Sequence, residues 1–432
     1  MTLGQVLAVV VFVGAYVLIA TERVHRVAAA LGGAALMLAL RLTDGETAFH
    51  SLDAGIDWNV VFLLLGMMVI VGVLKQTGLF EYLAIAAAKR ARGRPYAMLV
   101  VFVVITATAS AALDNVTTVL LIAPVTFLVC DRLGLNPIPF LIAEVMASNI
   151  GGTATLIGDP PNIIIASRAG FSFNDFLVHL APFIVVLMVV FVVVCRWLFR
   201  DAFRYDEKRV AEVMALSERE AIRNRTLLWQ SLAVLALVLA GFTLHSALHV
   251  EPSVVALLGA GLLVLISKVT TEEAIADVEW ETLVFFMGLF VMVGALVETG
   301  VIGEVSHALA GAVGGQPLVA VLGLLGISAV LSAVVDNIPY VATMSPIVGD
   351  LVSAQGGTAQ SEALWWSLAL GADLGGNATA VGASANVVAL GLAARNGTPI
   401  SFWTFTRYGL VVAGLSVLLA APYLWLRYFV VG

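Results

Sequence analysis

NIGGTATLIGDPPN at residues 149–162 and DLGGNATAVGASAN at residues 373–386 decide how this chain is read. Both runs sit in long apolar surroundings, yet each gathers Asn, Asp, Thr and a glycine pair where an uninterrupted helix would otherwise be expected. Hydrocarbon offers no hydrogen-bond partners. A helix can therefore break at bilayer depth only where the freed backbone is buried in protein or lines a polar cavity. Glycine lets the backbone leave helical geometry without a side-chain penalty, and Pro160 and Pro161 remove donors and stop a helix.

The two runs are copies. A shift of 224 residues carries Gly151-Gly152 onto Gly375-Gly376, Thr155 onto Thr379, Gly158 onto Gly382 and Asn162 onto Asn386. A shift of 222 carries Asp114-Asn115 onto Asp336-Asn337 and Asp57-Trp58 onto Glu279-Trp280. It also carries Gly66 onto Gly288, Gly72 onto Gly294 and Thr77-Gly78 onto Thr299-Gly300. Matches in one order over this length mark an internal duplication, a common build for transporters.

Of the 432 residues, 61% are hydrophobic and only 12% charged, too little charge to cover a soluble protein of this size. Apolar stretches near the ~20 residues needed to cross a bilayer recur along the chain. The expected fold is an all-α polytopic membrane protein of two inverted repeats. Each repeat has five transmembrane spans, one of them broken, and one re-entrant hairpin. The first repeat, 1–199, holds spans 4–20, 27–41 and 57–76, an interfacial helix 79–90, a hairpin 95–130, a broken span 137–168 and a span 176–199. A linker follows at 200–226. The second repeat, 227–432, holds spans 227–246, 252–268 and 280–299, a hairpin 316–354, a broken span 362–394 and a span 403–427. An odd number of crossings places the halves in opposite orientations. The first apolar segment lacks a basic leader and a small-residue cleavage site, so it reads as a span. Cys130 and Cys195 read as small apolar packing residues, with neither a disulfide nor a metal site implied.

Charge placement sets the expected orientation. The linker is the most basic and polar part of the chain and should be cytoplasmic. Alternation from it puts Arg23, Arg26, Lys75, Lys89, Arg90, Arg92, Arg94, Arg132, Lys268, Arg395 and Arg407 on the same side. With Arg196, Arg200, Arg204, Lys208, Arg209, Arg219, Arg223 and Arg225, that is 19 of the 22 basic residues. Only Arg41, Arg168 and Arg427 fall outside, as do both termini. The location implied is a bacterial inner membrane, crossed many times.

Four polar interruptions are the candidate site. The hairpin tips supply Asp114, Asn115, Thr117 and Thr118 in the first half and Asp336 and Asn337 in the second. The broken spans supply Asn149, Gly151, Gly152, Thr153, Thr155, Asp159 and Asn162, and then Asp373, Gly375, Gly376, Asn377, Thr379, Ser384 and Asn386. Freed carbonyls, Asn and Thr oxygens can coordinate a cation, and restarted helix N-termini favour an anion or polar oxygen. Intramembrane acids such as Asp114 and Asp336 mark ion or proton pathways. Each element alone has a plainer reading, Gly-Gly as a packing device and Asp-Asn as a cap. Four of them at matched positions favour the site. Asp159 reads as a cap or a ligand, and Glu144 as a proton carrier or a structural partner. His25, His50, His179, His245, His249 and His307 fall near span ends and read as interfacial. Beside the breaks in sequence, Arg168 is the one basic residue, which argues against a multiply charged anion as cargo.

The run from Asp114 through Asn162 resembles the arsenite permease and melanocyte P-protein branch of the ion transporter superfamily, with its arsenical-pump-like, citrate-transporter-like domain. The resemblance rests on "DNVTTVLLIAPVT", "LIAEVMASNIGGTATLIGDPPNIIIAS" and "VVDNIPY" and covers nearly the whole chain, closer to the P protein than to the arsenite pump. It implies two hairpins and two unwound helices around a central site, and an elevator-like motion of a transport domain against a scaffold. Sodium-coupled carboxylate carriers of the superfamily have Ser-Asn-Thr at the hairpin tips. Here the tips read Asp114-Asn115-Val116 and Asp336-Asn337-Ile338, so acid replaces hydroxyl and protons become the expected coupling ion, with sodium as the alternative.

The functional expectation is a secondary transporter of a small inorganic ion or solute exchanged for protons, an antiporter in which arsenite or antimonite efflux is the family-level reading. The alternatives are a sodium/proton antiporter, a P-protein-like anion carrier or channel, and a sodium-coupled carboxylate transporter. Inverted repeats suit alternating access better than a pore built from subunit symmetry. The sequence contains no evident hydrolase constellation and no Walker A lysine motif, so an enzyme is not expected and no cofactor or metal is implied. Expected partners are membrane lipid and the transported solute. A homodimer and an ATPase partner are left open, and nucleic acid is not expected.

Overall fold

A computed structural model describes residues 1–21, 24–92, 94–203, 214, 217–313 and 316–431; Arg23, Arg204, Lys208 and Arg209 of the orientation argument lie outside them. The described chain is helical, with no strand among those residues. The first half runs α1 Leu3–Ala20, α2 Arg26–Ala39, α3 Gly45–His50, α4 Trp58–Lys75, α5 Leu79–Arg90, α6 Pro95–Ala112, α7 Asn115–Leu133, α8 Ile138–Gly152, α9 Pro160–Ala169, α10 Phe173–His179 and α11 Ala181–Leu198. After a 3-10 turn at Arg200–Phe203 come α12 Glu218–Ala221, α13 Arg225–Leu248, α14 Pro252–Ser267, α15 Thr271–Ile275, α16 Trp280–Glu298, α17 Val301–Val313, α18 Pro317–Ser332, α19 Asn337–Ala354, α20 Ala359–Gly375, α21 Ser384–Arg395 and α22 Phe402–Trp425. Seven of the described helices are long and apolar enough to cross a membrane: α4, α6, α7, α11, α13, α16 and α22 with its π-helical extension.

Local chemistry explains where these helices begin and end. Asp57, Asp114, Asn224 and Ser401 each cap the backbone of the following first turn. Proline opens α6, α9, α14 and α18, where its missing donor costs nothing. The segment expected as one span from residue 176 divides at Leu180, so α10 is a separate short helix before Pro182. The second arm of each hairpin contains a proline, Pro124 in α7 and Pro346 in α19, one 222 residues after the other. Each removes an internal hydrogen bond midway along its arm.

The distribution of polarity is that of a lipid-facing bundle. Val189 in α11 and Leu258 and Leu265 in α14 are 63%, 67% and 80% exposed, while Asn149, Asn162, Asp373, Asn377 and Asn386 are wholly buried. Such a chain is covered by hydrocarbon, not water. Two packing groups can be distinguished. One is a framework of α1, α2, α4, α13, α14 and α16, joined by α2 on α16 and α4 on α14. The other contains the hairpins α6–α7 and α18–α19 with the broken helices, where α8 packs on α6 and α20 on α18. The restarted helices cross between halves: α9 packs on α19, and α21 on α7. That exchange brings the four interruptions to one place.

Candidate functional site

The centre is a buried polar knot between the two halves. Asn149, near the end of α8, donates through Nδ2 to Asn377 Oδ1 at 2.9 Å and to Asn386 Oδ1 at 3.0 Å. It accepts from Asn115 Nδ2 at 3.1 Å, tying the first hairpin tip into the same network. Asn337, from the second hairpin, donates to both oxygens of Asp159 at 3.3 and 3.4 Å. Asp159 makes no side-chain cap, so its carboxylate serves this cross-contact.

Around the knot, the same hydrogen bonds occur twice. Thr155 Oγ1 donates to Ala111 O and Thr379 Oγ1 to Ala333 O, each at 2.6 Å. Ser110 Oγ donates to Ser148 O at 2.7 Å, and Ser332 Oγ to Ala372 O at 2.5 Å. Asn162 Nδ2 reaches Thr155 O at 3.0 Å, and Asn386 Nδ2 reaches Thr379 O at 2.8 Å. These bonds satisfy the backbone that the breaks set free, as burial requires. Thr155, Thr379 and the amide donors of Asn162 and Asn386 are therefore engaged in holding the loops. Thr118 and Thr153 likewise bond back to their own helices, at Asp114 O and Asn149 O, and Thr117 offers its backbone N–H to Asp114 Oδ1 at 2.7 Å.

The glycines have a packing role. A Cβ at Gly375 would lie 2.5 Å from Ala329 Cα and O on α18, and one at Gly151 would strike Ala107 on α6, the matching residue. Gly152 faces Gly158 across one loop and Gly376 faces Gly382 across the other. The plainer reading of Gly-Gly thus describes Gly151 and Gly375, which let each broken helix touch its hairpin backbone to backbone. Gly151→Ala should lower stability by about 1–3 kcal/mol through overpacking, while Gly261→Ala, with nothing within 4 Å of its Cβ, should be near neutral. Thermal unfolding of the two purified variants checks this, and equal midpoints would contradict it.

Among the described residues, four buried acceptor atoms in the knot meet no donor in good hydrogen-bond geometry: Asn115 Oδ1, Asn162 Oδ1 and both carboxylate oxygens of Asp373, beside which the Thr153 hydroxyl and the Asn162 amide stand. Asp373 occupies the position matching Asn149 under the 224-residue shift. Such acceptors are open to water or to a ligand that brings donors or positive charge. Glu144 stands apart: it is 3% exposed and accepts from Thr126 Oγ1 at 2.7 Å, with no hydrogen bond to a residue of the breaks.

A cleft of about 710 Å³ opens onto this region between the framework and the second hairpin, lined by His25, Arg26, Glu279, Thr282, Asp336 and Ser384 among others. Here the structure corrects the expectation that Arg168 is the one basic residue beside a break. Arg168 donates instead to Asp53 O at the exposed rim. Arg26, far away in sequence, donates through Nη1 to Ser384 Oγ at 2.9 Å and through Nη2 to Thr282 Oγ1 at 3.3 Å. Ser384 Oγ donates to Asp336 Oδ2 at 2.5 Å, while Asp336 Oδ1 caps Ile338 N. Thr282 Oγ1 donates to Glu279 Oε2 at 3.0 Å. Arg26, Thr282 and Glu279 were absent from the sequence-based site. The only sequence signal for Glu279 was its match to Asp57 in the duplication. A second cleft of about 480 Å³, lined by Asn59, Ile163, Ser167, His245 and His249 among others, occupies the matching place in the other half.

The family profile described as "CitMHS: Citrate transporter" matches residues 16–371. An uncharacterized transporter of Mycobacterium tuberculosis is 57% identical over 99% of both chains. The P protein of Sus scrofa is 33% identical over 99% of this chain and 60% of its own length. Among solved structures, the Alcanivorax borkumensis YdaH transporter superposes with a TM-score of 0.64 at 16% identity, covering 93% of this chain and 96% of that one, a likeness of fold.

Proposed function

We propose that this chain, which belongs to the CitMHS citrate transporter family of secondary transporters, moves a small hydroxyl-bearing or cationic solute across the membrane in exchange for protons. The observation that carries this reading is the set of buried acceptors on Asn115, Asn162 and Asp373 without a well-formed hydrogen bond, within a knot of acids and amides. Protons, a cation such as sodium, or a neutral oxyacid rich in O–H groups such as arsenite or antimonite would satisfy them. A multiply charged anion would not.

Asp114 and Asp336 are the proposed proton carriers, each held at a hairpin tip. Alternating access would be a displacement of the hairpins and broken helices past the framework, with the two halves in opposite orientation and the linker cytoplasmic. The two clefts support this. Val387 and Ile163 match under the 224-residue shift, yet Val387 is 42% exposed in the larger cleft and Ile163 is 4% exposed at the smaller. Equivalent walls in unequal states are what one half-cycle of such a motion produces.

A second reading, a carboxylate or other anion as cargo, is favoured by Arg26 in the larger cleft. The discriminating experiment is a flux panel in proteoliposomes with arsenite, antimonite, sodium, chloride and dicarboxylates, each at two pH values. Saturable, counter-transported flux of arsenite or sodium supports the first reading, and dicarboxylate flux the second. Unsaturable conductance would remove both in favour of a channel.

A further inference from the structure

We propose that Arg26 is a positioning residue that ties the second hairpin tip to the framework through a hydroxyl relay, and that a proton on Asp336 loosens the tie. This rests on the proton-exchange reading above. The relay is directional. A serine hydroxyl has one proton to give, and Arg26, which can only donate, occupies the acceptor side of Ser384. The Ser384 proton is thereby committed to Asp336 Oδ2. Thr282 is committed in the same way between Arg26 and Glu279. Arg26 therefore serves two acids at once without touching either, and it also lies 5.6 Å from the Phe285 ring centroid.

The bond from Arg26 to Ser384 crosses between the two packing groups. Arg26, Thr282 and Phe285 belong to α2 and α16, which pack on each other, whereas Ser384 opens α21, which packs on α7. Leu248 stands where the 222-residue shift would put a second Arg26, so the tie is built on one side only. The groups that face Asp336 are Arg26 and His25 from α2 and its approach, Tyr16 from α1, and Glu279 and Glu281 from the start of α16. Asp159 from the start of α9 and Tyr340 from its own helix join them, and Asp114 from the first hairpin acts on Asp159 and Glu279. Arg26 is the fixed cation among them. A proton on Asp336 turns a charge-assisted bond from Ser384 into a neutral one of about half the strength, and the cross-group tie weakens with it.

The test uses cysteine accessibility, which needs no solute. Cys130 and Cys195 are free and buried, so both are replaced by alanine and a single cysteine is placed at Val387 or Ile163. Maleimide labelling of the purified protein in detergent then reads the two clefts. Arg26→Gln and Ser384→Ala should each slow labelling at 387 and speed it at 163, shifting the ratio by about threefold or more. Arg26→Lys should fall between them and the parent. Lowering the pH from 8 to 5 should shift the parent ratio in the same direction and leave Arg26→Gln unmoved. Unchanged ratios in both variants, or faster labelling at both positions as general loosening would give, overturn the proposal. Silent proteoliposomes with a shifting ratio would sink the transport reading and leave the tie standing. Active transport with a fixed ratio would do the reverse.

Discussion

Asp336→Asn, and separately Asp114→Asn, should abolish the proton movement that accompanies solute flux, by tenfold or more, while the folded protein survives. The substitution is mild at the helix caps. Each aspartate caps its helix through one oxygen, Asp114 to Thr117 N at 2.7 Å and Asp336 to Ile338 N at 3.0 Å, and asparagine caps as well as aspartate does. At Asp114 asparagine removes the titrating proton alone; at Asp336 it also removes the oxygen that accepts from Ser384 Oγ, so that variant carries both effects. A pH-sensitive dye trapped in proteoliposomes reads the effect directly. Normal proton-coupled flux in both variants would show that the hairpin acids carry no protons in the cycle.

Asn149→Leu should be the most damaging single change in the chain. Asn149 is wholly buried and joins three other side chains, two of them from the opposite half. Leucine strands Asn115 Nδ2 and the two amide oxygens of Asn377 and Asn386. At about 1–3 kcal/mol for each buried group left unpaired, the loss approaches the whole stability of a typical protein, about 5–15 kcal/mol. The expected result is little monodisperse protein on extraction. Asp373→Asn, at the matching position, removes a buried carboxylate that makes no well-formed hydrogen bond and should extract normally. Gel filtration of the two variants side by side checks the pair, and an Asn149→Leu protein as well behaved as the parent would contradict the bridging role.

The helices and their interruptions were legible because they are local. Asp114-Asn115 and Asp336-Asn337 break apolar runs in ways that only glycine, proline and capping residues can, and the duplication repeats the signal. Which atoms remain free for a ligand was not legible. Thr155, Thr379 and the Asn162 and Asn386 amides look like ligands in sequence, but their donors hold the break loops together. Gly151 and Gly375 face backbone of the hairpin helices, a contact set by packing and not by any neighbour in sequence. Arg26 was hidden for the same reason. It is separated from Ser384 by 358 residues, and from sequence it reads as one more basic residue flanking a span. The crossing of α9 onto α19 and α21 onto α7, which creates both the knot and the Arg26 contact, leaves no trace in periodicity or composition.

Luminal pH in proteoliposomes, recorded while one solute is raised in steps on the outside, tests the account most directly. It should change with each step, saturate as the solute does, and stop changing in Asp336→Asn. Saturable solute entry by the parent protein with no accompanying pH change would contradict proton exchange at this site.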